Sequence, residues 1–337
     1  MKNKKLIVLA GILALVLMPA ISYATDLSEE EVTPRIRKIY LGPQKSLLEK
    51  GKFKYLLAVT EGFDNNAYLD SQREADAFTQ TLFRASFLAP LTKKTEGLFE
   101  YEMMSLFYAG ESDLNLIKNG LRFGADYKLN KKVNLIATYS FDSMEFLKSG
   151  SDDYLDNTLE LKMRHKLPYK MFHSLAYDIL YRNYMKRYTR TALATDTDKE
   201  RTDVRNVVEY EIGKYFKKDL LKVSFQYFNN NSNETYLKYY DYDSYKVGTS
   251  LTHIFDDKLA GVFSFWEQYR DYRSRTLMND AGNKEKERTF LFSTGLLYNL
   301  NKAVSFGLNY TYRQNYSNEP VDKYSGSLIS ASTYYKF

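Results

Sequence analysis

The sequence lacks several residue types on which other classes of protein depend. It has no cysteine, which excludes disulfides, thiolate chemistry and a lipid-modified N-terminal cysteine. Proline occurs six times and tryptophan once, whereas tyrosine and phenylalanine occur 31 and 21 times. These proportions favour strands, because aromatic residues suit sheets and proline interrupts them. Beyond the N-terminal region no apolar run is long enough for a spanning helix.

The N-terminus indicates export. A basic segment, MKNKK, precedes the apolar run LIVLAGILALVLM, and PAISYA then ends with a small residue, any residue and alanine. This order is typical of a secretory signal peptide cleaved after Ala24. The alternative, a retained transmembrane helix, needs about 20 apolar residues, and this run is shorter. Losing the three lysines of the signal lowers the formal net charge from +6 to +3, which does not indicate a nucleic-acid partner.

Short basic segments recur along the rest of the chain, each between two runs of alternating polarity. They are PLTKKT (90–95), LNKKV (129–133), LPYKM (167–171), FKKDL (216–220), FDDKL (255–259) and LNKAV (300–304). The intervening connections are longer and rich in Asp, Asn, Ser and Gly. They are FDNNAYLDSQREAD, AGESDLN, LKSGSDD, TALATDTDKERTD, NNNSNETYLKYYDYD, RTLMNDAGNKEKER and NYSNEPVDKYSG.

This order of short turns and long loops predicts an all-β fold, a transmembrane up-and-down antiparallel β-barrel of about 14 strands. Such barrels have short periplasmic turns and long extracellular loops, and an even strand number returns both chain ends to the periplasm. A loop that hides or mimics a hairpin would change the number to 12 or 16. A soluble sandwich or lipocalin-like barrel is the alternative, but its connections would not sort by length.

The predicted strands alternate as a wall between lipid and water requires. In VNLIATYSFD every second residue from Val133 is apolar and the others are polar, Ile136 excepted. Each run has about ten residues, the length of a tilted strand that crosses a membrane. In LAGVFSFWEQYRDY the pattern is ambiguous, and a bulge is one explanation. There Phe263 and Phe265 compete with Val262 and Trp266 for the lipid-facing side.

The last strand carries a family resemblance. Its apolar face ends in Tyr335 and Phe337, and it must pair with the first strand, near KYLLAVTEGF (54–63), because lipid leaves no backbone group unpaired. A strand ending in Tyr-x-Phe resembles the C-terminal signal by which bacterial outer membrane proteins are recognised for barrel assembly. The resemblance implies a Gram-negative outer membrane location, lipid and the barrel assembly machinery as partners, and Phe337 and Tyr335 as the assembly signal. Thr333 departs from the usual apolar choice.

A looser resemblance lies in the first and last hairpins. GFDNNAYLD (62–70) is similar to the G-Y-D-S-N stretch that opens β-barrel porins and the barrels of surface lipoprotein assembly modifiers, and residues 308–337 resemble their last hairpin. Asp64 and Asn65 would then lie at the rim of the first loop. Assembly modifiers also carry a helical repeat domain before the barrel, for which residues 25–50 are too few. Only the barrel half of that resemblance therefore applies.

The predicted organisation is a signal peptide (1–24), a short periplasmic N-terminal arm (25–50) and an outer membrane β-barrel (51–337). We favour a poorly ordered arm over a partial plug of the barrel.

The polar parity of the strands predicts a set of charged residues that line the lumen. Two interpretations remain open, a hydrated pore whose charges tune the passage of solutes and a self-neutralising network that fills the interior. The set is Lys54, Arg84, Glu100, Glu102, Arg122, Asp126, Lys128, Glu160, Lys162, Arg164, Asp178, Arg182, Glu209, Glu211, Lys222 and Arg313.

The sequence offers no catalytic or metal site, and we predict neither an enzyme nor a cofactor. The three histidines, His165, His173 and His253, have lipid-facing parity near short turns, so no Ser–His–carboxylate group can be proposed. The carboxylate pairs on the lumen face could bind Ca²⁺ or share a proton, but pairing with a neighbouring cation is favoured. The tyrosine-rich segment 234–245 suits either an aromatic girdle, which we favour, or sugar binding.

These patterns favour a porin-like channel for passive passage of small polar solutes. Two alternatives are an exit barrel for an exported polysaccharide or other polymer, and a non-conducting structural or adhesive surface barrel. A lumen lane of one charge sign would favour the polymer, and a mixed constriction would favour small solutes. The solute, which could be a glycan, and the oligomeric state are not encoded in these patterns.

Overall fold

The computed structural model describes residues 53–71, 73–191 and 195–337. The predicted signal peptide and N-terminal arm lie outside these ranges. The described chain forms fourteen strands and two single turns of 3₁₀ helix, Ser112–Leu114 and Pro320–Asp322. No helix in these ranges is long and apolar enough to cross a membrane. The strands are β1 Phe53–Asp64, β2 Asp76–Pro90, β3 Thr95–Tyr108, β4 Leu116–Lys128, β5 Val133–Phe146, β6 Tyr154–Leu167, β7 Met171–Arg190, β8 Asp196–Tyr215, β9 Asp219–Ser232, β10 Tyr242–Ile254, β11 Leu259–Leu277, β12 Asp280–Asn299, β13 Val304–Ser317 and β14 Tyr324–Lys336.

The strands form one closed antiparallel barrel in which each strand pairs with its sequence neighbours. The ring closes between β1 and β14, where Leu56 pairs with Lys336 and Asp64 with Leu328. Closure leaves no strand edge with unpaired backbone groups, as a spanning barrel requires. The predicted 14-strand up-and-down barrel and the pairing of the last strand with the first are confirmed.

The register of the fourteen pairings sets the width of the barrel. Followed once around the ring, the pairings advance by about 18 residues, which for 14 strands of circular section corresponds to a tilt of about 44° and a backbone radius of about 14 Å. An eight-stranded barrel is only just wide enough for its side chains to fill. This barrel is considerably wider.

The apolar parity of each strand faces outward. Every second residue of β13 from Phe306 to Tyr316, Gln314 excepted, is exposed and apolar or aromatic, and β6 and β7 show the same pattern. On β11, Phe263 and Phe265 face outward, whereas Val262 and Trp266 face inward. Pairing with β12 is continuous from Leu259 to Asp271, so the irregularity of β11 lies beyond the ambiguous segment.

Two of the seven predicted long loops are instead extended hairpins, and their prediction was wrong. β7 and β8 are joined by residues 191–195, and β11 and β12 by residues 278–279. In the first hairpin the Thr189 and Thr197 hydroxyls lie 2.7 Å apart. In the second, KEKER (284–288) alternates buried glutamates with exposed cations. A sequence with charged residues on both faces looks like a loop. It can still form a strand where the hairpin extends out of the membrane into water.

Apolar clusters also lie on the inner wall. The end of the barrel with the short connections is called here the short-turn end, and the other the long-loop end. One cluster, which includes Met104, Leu116 and Met144, lies toward the long-loop end of β1–β7. Another, which includes Phe172 and Ile254, lies at the short-turn end of β7–β12. The inner wall is therefore polar only in part.

Candidate functional site: the barrel interior and its mouth

The structure places all of the charged residues predicted to line the lumen on the inner wall, because each alternates with outward-facing neighbours. These are Lys54, Arg84, Glu100, Glu102, Arg122, Asp126, Lys128, Glu160, Lys162, Arg164, Asp178, Arg182, Glu209, Glu211, Lys222 and Arg313.

A network of ion pairs crosses β2, β3 and β4 in the middle of this wall. Arg84 Nη2 lies 2.6 Å from Glu102 Oε2, and Lys118 Nζ lies 3.4 Å from Glu102 Oε1. Arg122 Nη1 lies 3.3 Å from Glu100 Oε1. The carboxylates at 100 and 102 therefore have cations on both neighbouring strands. The Arg122 side chain is 51% exposed, so this cation of the network is accessible from the lumen.

Closer pairs lie on β6 to β9. The Arg182 guanidinium binds Asp156 in a bidentate manner at 2.8 and 2.7 Å, and both side chains are buried. Lys222 Nζ lies 2.7 Å from Glu211 Oε2. Arg164 stacks on the ring of Phe172 at 4.2 Å. In these pairs, charges of both signs compensate one another.

The wall formed by β10–β14 and β1 has a different chemistry. Serine, threonine, asparagine and glycine take about half of its inward positions, and all of those on β13 except Arg313. The Ser264 and Ser293 hydroxyls lie 2.6 Å apart, and those of Thr60 and Ser332 lie 2.8 Å apart. The interior therefore has a charged wall and a hydroxyl wall. Alternating stretches such as SGSLISAS (325–332) carry the sequence signal for this second wall, which charged residues alone do not reveal.

Residues 233–241, called here the mouth loop, connect β9 to β10 and lie over the inner side of the long-loop end. The buried Glu234 side chain anchors it, since the backbone N–H of Arg190 donates to Glu234 Oε1 at 2.8 Å. Thr235 Oγ1 donates to the Arg190 carbonyl at 2.8 Å. Arg190 also stacks on Tyr236 at 4.6 Å. The loop is thereby attached to the β7–β8 hairpin.

Two tyrosines at the end of the mouth loop reach arginines on opposite sides. Arg201 of β8 lies 3.2 Å from the centre of the Tyr240 ring, and Arg275 of β11 lies 4.3 Å from that of Tyr239. Burial raises the pKa of the Tyr239 hydroxyl, so this group stays neutral. Because arginines already stack on both rings, this part of the segment is neither a lipid girdle nor a free sugar platform. Tyr245, in contrast, faces outward.

The motif at the end of β1 forms a buried latch across the seam of the barrel. Arg313 Nη2 on β13 donates to Asp64 Oδ1 at 2.5 Å and to the Asn66 carbonyl at 3.3 Å. The Asn66 amide donates to the Ser325 carbonyl at 3.0 Å. All three residues of this latch, Asp64, Asn66 and Arg313, are buried. The predicted rim position of Asp64 is thus a structural junction between the first loop and the last hairpin.

The last residue of the predicted assembly signal is part of the sheet. The Tyr55 N–H donates to the Phe337 carbonyl at 2.9 Å, and the Phe337 N–H donates to the Tyr55 carbonyl at 3.1 Å. The Phe337 and Tyr335 side chains face outward at the short-turn end. Their role as a signal stays a prediction.

All three histidines of the sequence lie on the outer face near the short-turn end. His165 Nδ1 and His173 Nε2 lie 3.1 Å apart, and His253 Nδ1 lies 2.6 Å from Asp219 Oδ1. None is near the lumen carboxylates or hydroxyls, so none is positioned there as a general base.

Three carboxylates among the described residues come close enough to share a cation: Glu285, Glu287 and Asp322, with oxygens within 4.8 Å. Arg275 lies between two of them, with Nε 2.5 Å from Glu285 Oε2 and Nη2 2.9 Å from Asp322 Oδ2. Arg270 Nη1 lies 2.8 Å from Glu287 Oε2. Guanidinium groups thus already pair with all three carboxylates.

A repeated tyrosine contact marks the edge of the apolar outer band that is nearer the long-loop end. On five strands an outward tyrosine hydroxyl bonds to a polar side chain one strand further on, toward the long-loop end, as expected at a membrane interface. The pairs are Tyr101–Asn119 at 2.9 Å, Tyr139–Asn157 at 2.7 Å, Tyr177–Asn206 at 2.8 Å, Tyr227–Asp243 at 2.9 Å and Tyr310–Ser327 at 3.1 Å. We call these residues the tyrosine girdle.

No protein-family model and no curated protein matches the sequence. Solved structures are similar in fold. Outer-membrane expressed OmpT of Vibrio cholerae is 10% identical and has a TM-score of 0.52 over 85% of this chain and 97% of that chain. The outer membrane channel DcaP of Acinetobacter baumannii is 11% identical, with a TM-score of 0.50 over 85% and 96% of the two chains. The looser resemblance of the first hairpin to particular barrel families stays a prediction. The chain has the fold of bacterial outer membrane β-barrel proteins.

Proposed function

We propose that the barrel is an outer membrane channel through which small polar solutes pass passively. One observation carries the proposal: the inner wall combines locally compensated charges of both signs with a second wall of hydroxyls. Polar solutes exchange water for such groups at little cost, since both donors and acceptors are available. The proposal assigns the barrel no chemical reaction and no cofactor.

The width of the barrel supports a channel. With a backbone radius of about 14 Å, inner side chains on opposite walls need not meet. On β13 they are short except for Arg313, so the widest passage would run beside this strand. The similarity in fold to DcaP, described as an outer membrane channel, is compatible with this role.

The distribution of charge favours small solutes over a charged polymer. A polymer exit would have a continuous lane of one sign, whereas here cations pair with carboxylates both on β2–β4 and on β6–β9. Arg84 with Glu102 and Lys222 with Glu211 are examples at opposite ends of this region. Discrimination between small cations and anions would then be weak.

A non-conducting surface barrel is the second candidate, and the mouth loop favours it. Contacts from Tyr239 and Tyr240 to Arg275 and Arg201 hold this loop over the long-loop end. If the loop did not move and covered the whole lumen, the barrel would be closed.

Liposome swelling distinguishes the two candidates. Mature protein reconstituted into liposomes is expected to admit uncharged sugars at rates that fall steeply with solute size, and liposomes with heat-denatured protein serve as the control. Absence of swelling, from a preparation whose heat-modifiable gel mobility shows a folded barrel, would reject the channel and leave the surface barrel.

A further inference from the structure

A groove of about 410 Å³ opens on the outer face of the barrel between β12 and β13. It is lined by Arg288, Phe290, Gln314 and Tyr316. Phe290 and Tyr316 meet edge to face with ring centres 5.8 Å apart, and Arg288 lies 4.7 Å from the centre of the Phe290 ring. The groove thus has an aromatic floor and a cationic rim.

The groove lies at the edge of the lipid-facing band. On β12 the outward residues from Tyr298 up to Phe290 are apolar except Thr294, and Arg288 is the next outward position. On β13 the Tyr312 hydroxyl donates to Gln314 Oε1 at 3.2 Å, one step above the tyrosine girdle. A ligand in the groove would contact acyl chains on the side of the lipid-facing band and water on the side of the long-loop end.

Two further cations continue this rim. Lys284, Lys286 and Arg288, called here the outer strip, are exposed on one face of β12, while Glu285 and Glu287 between them point inward. Successive same-face residues of a strand are about 7 Å apart, so the strip spans about 14 Å.

Most of the charged groups of the outer strip have no acidic partner in the described part of the protein. Arg288 Nε binds Glu267 Oε1 at 2.5 Å, but within the described ranges its two terminal nitrogens have no protein partner. Neither Lys284 nor Lys286 forms an ion pair with a described residue, although Asp271 lies opposite Lys286 in the register.

Among the residues that the structure describes, no other strand carries such a strip at this level. The girdle partners on β4, β6 and β8 are Asn119, Asn157 and Asn206, which are neutral, and the partner on β10 is Asp243. Arg273 also faces outward, but its Nε is held by Asp243 Oδ2 at 2.9 Å. The outward cations of β12 are therefore a local feature of this side of the barrel.

We infer that the groove and the outer strip bind a phosphorylated glycolipid of the outer leaflet. Arginine and lysine at the upper edge of the band would bind its phosphates, the guanidinium through its free fork. The aromatic floor would pack against the sugar and the first methylenes of the acyl chains. This site is independent of what passes through the lumen.

Native mass spectrometry of the mature barrel in detergent tests the inference, with bisphosphorylated lipid A and the same lipid without phosphates as probes. The variant Lys284→Gln/Lys286→Gln/Arg288→Gln is expected to bind bisphosphorylated lipid A about 10- to 100-fold more weakly than the parent chain. Parent protein is expected to bind the dephosphorylated lipid as weakly as that variant. Arg288→Lys, which keeps the charge and loses the fork, is expected to lie between.

The matched control is Lys93→Gln/Lys131→Gln/Lys302→Gln, which removes three exposed cations from the short turns. Its binding is expected to stay within about twofold of the parent, because these residues lie at the other end of the barrel. Equal loss in both triple variants would show unspecific charge attraction and overturn the inference. Unchanged binding in the outer-strip variant, or equal affinity for the dephosphorylated lipid, would overturn it as well. Heat-modifiable mobility verifies that each variant is folded.

Discussion

Arg313 Nη2 lies 2.5 Å from Asp64 Oδ1, a buried contact between residues 249 positions apart. β14 lies between the strands that carry these side chains, so the ion pair spans the seam at which the ring closes. The barrel is thus closed by backbone pairing and reinforced by a charge pair at its long-loop end.

Removing one partner of this pair should destabilise the barrel strongly. Asp64→Ala leaves the Arg313 charge buried without compensation, and we expect a loss of about 3–5 kcal/mol in unfolding free energy. Urea unfolding in detergent or lipid measures it. Glu96→Gln, at the more exposed Lys128 pair, is the control and should cost at most about 1 kcal/mol. Equal losses would show that the latch adds nothing beyond a surface pair.

The latch also depends on a glycine at the start of β14. A Cβ at position 326 would lie 3.0 Å from Asn66 Cβ and 3.4 Å from Arg313 Nη2. Gly326→Val should therefore displace the latch and destabilise the barrel by about 1–3 kcal/mol. Gly124→Val is the matched control, since the nearest atom there is 3.5 Å away. Unfolding midpoints that shift equally for both variants would contradict the assigned role of Gly326.

The mouth loop should control access to the lumen. Arg201→Gln with Arg275→Gln removes the nearest stacking partners of Tyr240 and Tyr239, each contact contributing about 0.5–2 kcal/mol. We expect a higher mean conductance, and faster tryptic cleavage at the exposed Lys238. Arg288→Gln, on the outer face, is the control. Slow cleavage and unchanged conductance in the double variant would mean that the arginines do not hold the loop.

The tyrosine girdle should contribute through both ring and hydroxyl. Tyr139→Phe loses the bond to Asn157 but keeps the ring, and we expect a cost of about 0.5–1.5 kcal/mol. Tyr139→Ala also loses the ring at the membrane edge and should cost more. Unfolding from lipid vesicles measures both. Equal effects would show that the hydroxyl bond, and not the ring, determines the contribution.

The barrel could be predicted from the sequence because polar–apolar alternation and loop length are local signals. Val133 and Ile136 illustrate this: the parity around them is correct even though Ile136 points into the lumen. The two extended hairpins were predicted as loops because DKER (198–201) and KEKER (284–288) carry charge on both faces. The KEKER pattern becomes a strand only when one face meets a second set of charges, here Arg275 and Asp322.

The mouth loop and the latch could not be predicted for a different reason. Tyr240 meets Arg201 because the mouth loop folds over β8, and Asp64 meets Arg313 across the closed ring. Neither contact follows from the spacing along the chain. Parity assigns such residues to a face but not to a partner. The hydroxyl wall, in contrast, is visible in the sequence, since every second residue of β13 except Arg313 is serine, threonine, asparagine or glycine.

Single-channel recording of the mature protein in a planar bilayer, at two salt concentrations, tests the central claim most directly. The account predicts stable conductance steps with weak ion selectivity. It also predicts that Arg122→Gln, at a 51% exposed lumen cation, shifts the reversal potential toward cations more than Arg164→Gln, whose side chain is buried. Folded protein that produces no steps, or a reversal potential that neither substitution changes, would contradict it.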